Sequence, residues 1–435
     1  SIVPVETKGN VVFRSSPKGK EYIEANNLTF VSYLGEGADG WAMYKFNFEQ
    51  PKQPTPPVTP VTPVTPAPSE KVVVTNPQVT NGAINVPIAQ GTKEVLLPAN
   101  AAAIDGKNSL QVTGEKVTAS IPAEVLKQLQ ELAKGKENAN ISFSFNKVSE
   151  SNVATLTNEA SKKANANVKA AGEVYDFALA VVDKDGKETK LSTFSQPITI
   201  SLTVSENANK KLIGVYYVKA DGTLEYVGGT YKDGKLTAQV SHFSTYAVLE
   251  FNKEFADVQK GYWAYDVIKE MSAKHIAKGV NANNFAPKRN VTRAEFAALI
   301  VRALGLTATT DTVTFTDVAS TKWYASAVAA ATEAGIVNGK SATRFAPEET
   351  ISREEMAAMI VRAYEFATGE KVADATNATF ADMANASAWS KVYISKAAEL
   401  GLVNGRGNNR FAPQGLTERA ESIQVIANLL DKTAK

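Results

Sequence analysis

Val291-Thr-Arg-Ala-Glu295 returns as Ile351-Ser-Arg-Glu-Glu355, and once more as Thr417-Glu-Arg-Ala-Glu421. The flanks repeat in the same register. Trp263, Gly279 and Phe285 recur as Trp323, Gly339 and Phe345, and again as Trp389, Gly405 and Phe411. A sequence period on this scale marks supersecondary units that bury their apolar faces only by stacking on one another. Residues 251–435 therefore read as one domain of three repeats, about 251–308, 309–372 and 373–435.

Within each repeat two helices are expected. Thr292 with Glu295, and Ser352 with Glu355, fit a capping box, in which hydroxyl and carboxylate satisfy each other's orphan backbone donors. Behind them Phe296, Leu299, Ile300 and Leu304 form a core stripe, matched by Met356, Met359, Ile360 and Tyr364. An earlier helix follows each aromatic-x-Asp, with the tryptophan on its apolar stripe: Trp263, Val267, Ile268 and Met271 in the first copy. Trp323, Ala327 and Ala331 match it in the second, and Trp389, Tyr393, Ile394 and Ala397 in the third. Gly335 and Gly401 stand where a left-handed residue closes such a helix. His275 holds the same place in the first copy, so it reads as a helix-end residue that tolerates positive φ. His242 is assigned to the alternating Val240-Ser-His-Phe strand, and neither histidine receives a catalytic role.

Arg293, Arg353 and Arg419 are what packing leaves unexplained, because a cation in the first helical turn opposes the positive end of the helix dipole. Beside free helix N–H groups, a guanidinium can grip a planar carboxylate through charged hydrogen bonds of about 1.5–3 kcal/mol each. The other reading is an inter-repeat salt bridge to an aspartate such as Asp257, Asp317 or Asp382. Arginine usage favours the ligand reading: apart from Arg14, every arginine lies between Arg289 and Arg419.

Upstream the texture changes. Residues 70–250 alternate as strands do, at Lys71-Val-Val-Val, Lys93-Glu-Val-Leu-Leu, Asn140-Ile-Ser-Phe-Ser-Phe, Val174 to Val182 and Ile198 to Val204. Asp185-Gly186, Asp221-Gly222 and Asp233-Gly234 mark turns, and one helix is expected from Pro122 to about Lys134. An all-β sandwich with one helix is the natural architecture. Residues 51–69, rich in Pro and Thr, cannot form a ladder or a helix and read as a stiff linker of about 50 Å at about 3.1 Å per residue. Residues 1–50 look β-rich, with Val11-Val-Phe13, Leu28 to Val31 and Trp41 to Phe48 as strands, and read as the end of a larger module. The fold class is thus multidomain: a β-rich fragment, a β-sandwich spacer and an all-α threefold domain.

Composition narrows the functions. The 435 residues carry a net charge of +2, and residues 251–435 hold 22 Lys and Arg against 20 Asp and Glu, so no strong basic field exists for nucleic acid. With no cysteine there can be no disulfide, thiolate metal site or cysteine nucleophile. No apolar run reaches the roughly 20 residues of a membrane span, and Ser1 opens no signal segment, so the chain reads as a mature or excised piece. No cofactor and no metal site are expected, and the chain reads as non-enzymatic because the repeated Asp and Glu are assigned to helix starts.

Phe255-Ala-Asp-Val, Trp263, Phe285-Ala-Pro and Val291-Thr-Arg-Ala-Glu, with their two echoes, resemble the three repeats of S-layer homology domains. The resemblance extends from about Phe251 to the C-terminus. It implies a pseudo-threefold helical domain on an extracellular, wall-bound protein of a Gram-positive bacterium. Its grooves would bind an anionic secondary cell-wall polysaccharide, often through a pyruvate ketal on N-acetylmannosamine, with S-layer lattice neighbours as further partners. Carried over by position, the binding residues are Arg293, Arg353 and Arg419, Trp263, Trp323 and Trp389, and Gly279, Gly339 and Gly405. Glu418 replaces the capping Thr292 and Ser352, leaving Thr417 one residue early, so the third arginine's groove is expected to be the weakest. Gly214 to Gly229 and Ser241 to Val248 are similar to a β-module found before such repeats, which implies a spacer. Gly37-Ala-Asp-Gly-Trp41 resembles a loop in the C-terminal domain of 5′-nucleotidases, and the alternative reading is the tail of a surface hydrolase whose catalytic domain lies upstream.

Overall fold

The computed structural model describes residues 2–7, 10–26, 31–37, 39–46, 70–310, 314–374 and 380–434. The expected linker 51–69, and the parts of two strand candidates at 28–30 and 47–48, lie outside the described residues. Residues 1–67 and 68–435 are separate units.

The first unit holds four antiparallel strands in the order Ile2–Thr7, Asn10–Ser15, Ala42–Phe46, Val31–Glu36. A helix that strand alternation does not reveal, α1 (Pro17–Ala25), follows the second strand. Its signals are local: Pro17 preorganises the first turn, and Ser16 accepts a hydrogen bond from Gly19 N–H.

In the second unit, residues 70–252 form two sheets. One runs Thr230–Lys232, Lys235–Val240, Ile198–Thr203, Val117–Ile121, Ser109–Thr113, Ala83–Pro87, Val79–Thr80. The other runs Leu224–Gly228, Ile213–Val218, Thr245–Asn252, Asn167–Val182, Asn140–Lys147, Glu94–Pro98, Lys71–Val73, with Glu188–Lys190 paired to the long strand. Alternate residues of both meet in one core, where Leu110, Ile121 and Ile200 of the first join Val95, Phe143 and Phe177 of the second. The three Asp-Gly turns close hairpins as expected, with Asp233 and Gly234 both at positive φ. Two helices accompany the sheets, α2 (Ala123–Leu132) and α3 (Glu150–Ala164). α3 is a correction to the single expected helix. Its apolar content is low, so periodicity hides it, although Ser149 caps it through Asn152 N–H and Asn165 ends it at φ 47°. His242 is a second correction: the strand stops at Val240, and His242 lies in the following bend.

The second sheet is buried on both faces. Its outer face packs Tyr216, Leu249 and Phe251 under α3 and against the first repeat, and strand Thr245–Asn252 is accordingly a nearly continuous apolar run. This makes the joint to the repeats an extension of the core. His275, at φ 56° as its helix-end position requires, lays its ring against Tyr216, Tyr226 and Phe251. Its Nε2 stands 2.7 Å from the Tyr216 hydroxyl. Burial, with Lys278 nearby, lowers its pKa from 6.5 to about 4, so the ring is neutral at physiological pH. The Lys253 ammonium donates to the carbonyls of Asn165 and Ala282, which ties the end of α3 to the first repeat.

Each repeat contributes a short and a long helix: α4 (Tyr265–Ala273) and α5 (Arg293–Leu304), α6 (Ala325–Glu333) and α7 (Arg353–Thr368), α8 (Lys391–Glu399) and α9 (Arg419–Thr433). The long helices touch one another, and each also packs on the short helix of the next repeat: α5 on α6, α7 on α8, α9 on α4. The capping boxes of α5 and α7 are both formed, whereas Glu418 gives α9 no side-chain cap. The region is not purely helical. Bridges Asn290–Glu418, Thr292–Thr350 and Ser352–Leu416 join the three segments that enter the long helices. Arg293 N–H bonds Glu349 O, Arg353 N–H bonds Gly415 O and Arg419 N–H bonds Arg289 O, closing the repeats into a ring. Donors that begin a helix need partners outside it, and here the neighbouring repeat supplies them.

Candidate functional site: the inter-repeat grooves

The Asp of each aromatic-x-Asp sets the geometry. Asp257 accepts from Phe285 and Ala286 N–H at 2.8 and 2.7 Å, Asp317 from Phe345 and Ala346 at 2.9 and 2.7 Å, and Asp382 from Phe411 and Ala412 at 2.8 Å each. The clamp holds Ala286, Ala346 and Ala412 at φ near 56°, a conformation an alanine adopts only when its surroundings impose it. Burial opposes charge on Asp317 and Asp382, yet the two backbone donors keep both carboxyls below their usual pKa.

With their aspartates so occupied, the arginines pair elsewhere. Arg293 Nε donates to Phe345 O (2.9 Å), Arg353 Nε to Phe411 O (2.8 Å) and Arg419 Nε to Phe285 O (3.0 Å). Nη1 of each meets the capping-box position of the next repeat: Glu355 for Arg293, Glu421 for Arg353 at 3.0 Å, and Glu295 for Arg419. Nη2 reaches a carbonyl beside the glycine, at Asn338, Asn404 and Lys278. Each guanidinium also lies 4.6–4.9 Å over a phenylalanine ring. Arg293 and Arg353 keep 4% of their side chains exposed and Arg419 12%. Burial lowers Arg293 to about 10 and lowers the other two as well, but all stay charged at neutral pH. The inter-repeat bridge weighed from sequence is present, with glutamate in place of aspartate as partner.

Gly279, Gly339 and Gly405 are required by close approach. A Cβ on Gly279 would stand 2.6 Å from the Phe255 ring and 2.5 Å from Asn281 O, and Phe315 and Phe380 crowd the other two in the same way. The tryptophans depart from expectation. The short helices begin at Tyr265, Ala325 and Lys391, after the indoles, and Trp263, Trp323 and Trp389 are 55%, 60% and 50% exposed. Large indoles left in solvent at related positions are surfaces that a flat apolar sugar face can cover.

Three site residues, one from each repeat, converge on one cavity of about 360 Å³: Gly279, Trp323 and Arg419. Lys278, Arg289 and Arg302 also line it, against the single carboxylate of Glu295. Sequence reading misses Lys278 and Arg302, because its search follows what all three repeats share: Lys278 belongs to the first copy alone, and Arg302 recurs only as Arg362. In residues 1–67, Gly40 N–H bonds Gly37 O and Asp39 pairs with Arg14, while Ala38 of the expected loop lies outside the described residues. Among the described residues, no group of three or more His, Cys, Asp or Glu could hold a metal ion, and no helix is long and apolar enough to cross a membrane.

A ring of three two-helix repeats, each with a clamped Phe-Ala turn and an exposed indole, defines the helical region as a triple-repeat module, with a cavity where its copies meet. Residues 254–297, 314–357 and 379–421 each match the S-layer homology domain, and this region of the chain consists of three such domains. The amylopullulanase of Thermoanaerobacterium thermosulfurigenes is 39% identical over 244 residues, 55% of this chain and 13% of that protein. That stretch is longer than residues 254–435, so the likeness continues upstream of the repeats. The surface-layer 125 kDa protein of Lysinibacillus sphaericus is 33% identical over 39% of this chain and 14% of its own length. S-layer protein sap of Bacillus anthracis is 31% identical over 45% and 23%. The chain thus spans less than a quarter of each of these relatives. The three domains and the S-layer relatives place it at the cell surface, in the wall.

Proposed function

We propose that this chain is a non-enzymatic anchor, whose three S-layer homology domains hold a surface protein on the wall by binding an anionic, pyruvylated secondary polysaccharide between repeats. The observation that carries the reading is the meeting of Gly279, Trp323 and Arg419 in one cation-lined cavity. The indole supplies a stacking face, and the cations suit a ketal carboxylate. The motif arginines act first by closing the ring, and so build the grooves that the polymer enters. Three related grooves favour retention on a repeating polymer, because once one sugar is docked the next encounter is effectively intramolecular. The two-sheet module is a spacer fused rigidly to the first repeat, and no cofactor is needed. Cosedimentation with cell-wall sacculi tests the reading: the chain is expected to pellet with intact walls and to stay soluble with walls stripped of secondary polymer. Equal pelleting with both would defeat it.

A second reading has its own support. Relatives with enzyme names, the amylopullulanase and the exoglucanase XynX of Acetivibrio thermocellus, match over only 13% and 17% of their lengths. In this reading the chain is the wall-binding tail of a surface hydrolase whose catalytic part precedes Ser1, and the full reading frame of its gene decides the matter.

A further inference from the structure

Three residues beyond the motif arginine, one turn along the same face of the long helix, the repeats carry Phe296, Met356 and Ser422. Phe296 and Met356 are fully buried. Ser422 lines the cavity, and its hydroxyl turns back to bond Arg419 O at 2.6 Å. Ser422 is buried too, at 1% exposure, but is the smallest of the three side chains at this position beside the cavity.

Two of the charges around this space, Lys278 and Arg289, are peculiar to it, and the third, Arg302, is shared with the second repeat. Lys278 is matched by Asn338 and Asn404, and Arg289 by Glu349 and Gly415. Arg302 is matched by Arg362 and Asn428. Arg289 and Arg419 both pair with Glu295. Among the described residues Lys278 and Arg302 form no ion pair, and Arg302 reaches only Ile276 O at 3.3 Å. Burial lowers the pKa of both, and the neighbouring cation adds to it in each case: Arg302 acts on Lys278, and Arg419 on Arg302. An anion in the cavity relieves that repulsion.

We propose that this groove, between the third and first repeats, is the preferred seat of the wall polymer. There Lys278 and Arg302, rather than the repeated arginine, receive the carboxylate of its sugar. This rests on the polymer-binding reading and deepens it. It also reverses the order expected from Glu418, whose side chain caps nothing. Arg419 has its three donor directions engaged within the protein, so it positions the wall of the site, and the two cations left over face the ligand.

The test is a binding isotherm on sacculi bearing pyruvylated polymer, with the whole chain. Lys278→Gln and Arg302→Gln are each expected to weaken binding about tenfold, the loss of one charged hydrogen bond. Ser422→Met, which installs the residue found in the second repeat, is expected to weaken binding at least as much by filling the space, and its melting temperature, read alongside, separates this from overpacking of a buried position. Arg362→Gln, the match of Arg302 in the second repeat, where the guanidinium lies over the Tyr393 ring, is expected to cost less. Mild acid hydrolysis of the ketals on the sacculi is expected to abolish the difference between wild type and Lys278→Gln. Wild-type affinity retained by Lys278→Gln and by Ser422→Met, or equal losses for Arg302→Gln and Arg362→Gln, would overturn the assignment while leaving the anchor reading intact. Failure of the wild-type chain to bind these sacculi would remove both.

Discussion

The first two repeats and the third make the same arginine bonds but part company within one helical turn of them. α5 and α7 open with complete capping boxes and fill the next turn with Phe296 and Met356. α9 opens at Glu418 with no side-chain cap, leaves the Thr417 hydroxyl buried without a hydrogen-bond partner, and carries Ser422 where the others are bulky. The repeated residues close the ring, and the departures from the repeat shape a cavity. A repeat protein can therefore keep its architecture in the shared positions and place specificity in the unshared ones.

The comparison is most exposed at the arginines. Arg293→Ala strands Glu355, which is 16% exposed and has no second cation among the described residues, and is expected to cost about 3–5 kcal/mol in urea unfolding. Arg419→Ala should cost distinctly less, because Arg289 still pairs with Glu295. Equal losses would show that the third junction is built like the first.

Repeat 1 differs from the others at the end of its short helix, where His275 replaces glycine, and acid probes that difference. A histidine whose folded pKa is depressed contributes stability in full above its unfolded value. That contribution is lost as pH falls through the folded one. Between pH 6.5 and about 4 the chain is expected to lose roughly 3 kcal/mol that His275→Asn does not lose, read from melting temperature against pH. Parallel curves for the two proteins would mean that the joint does not depend on a neutral ring.

The smallest effect concerns the caps. Thr292→Ala or Ser352→Ala is expected to cost about 1 kcal/mol, whereas Glu418→Thr should stabilise by up to about 1 kcal/mol by completing a box with Glu421. No gain from Glu418→Thr would show that its backbone, held in the bridge to Asn290, is too constrained for the hydroxyl to reach its donor.

Much of this is legible in the residues. Capping boxes, Asp-Gly hairpins and alternating strands are local signals in which a side chain acts on its own neighbourhood, and they locate α5, α7 and most of the two sheets. Helix α3 escapes because its stripe is too polar for periodicity to register. The tryptophans are misplaced because an apolar residue at helical spacing looks the same on a packed stripe as just before the first turn. The arginines stand out as unusual, but their glutamate partners do not, because sequence shows no reason to prefer Glu355 to Asp317, which lies nearer to Arg293 in the chain.

By itself the sequence determined the period, the capped starts of α5 and α7 and the family of the C-terminal region, since these follow from local chemistry repeated in register. Only the tertiary structure decided that the guanidinium of each repeat is spent on closing the ring. It also decided that Lys278, Arg302 and Ser422, from two different repeats, meet around one space. Burial and unpaired charge belong to the arrangement of distant segments, and ring closure is what brings those segments together.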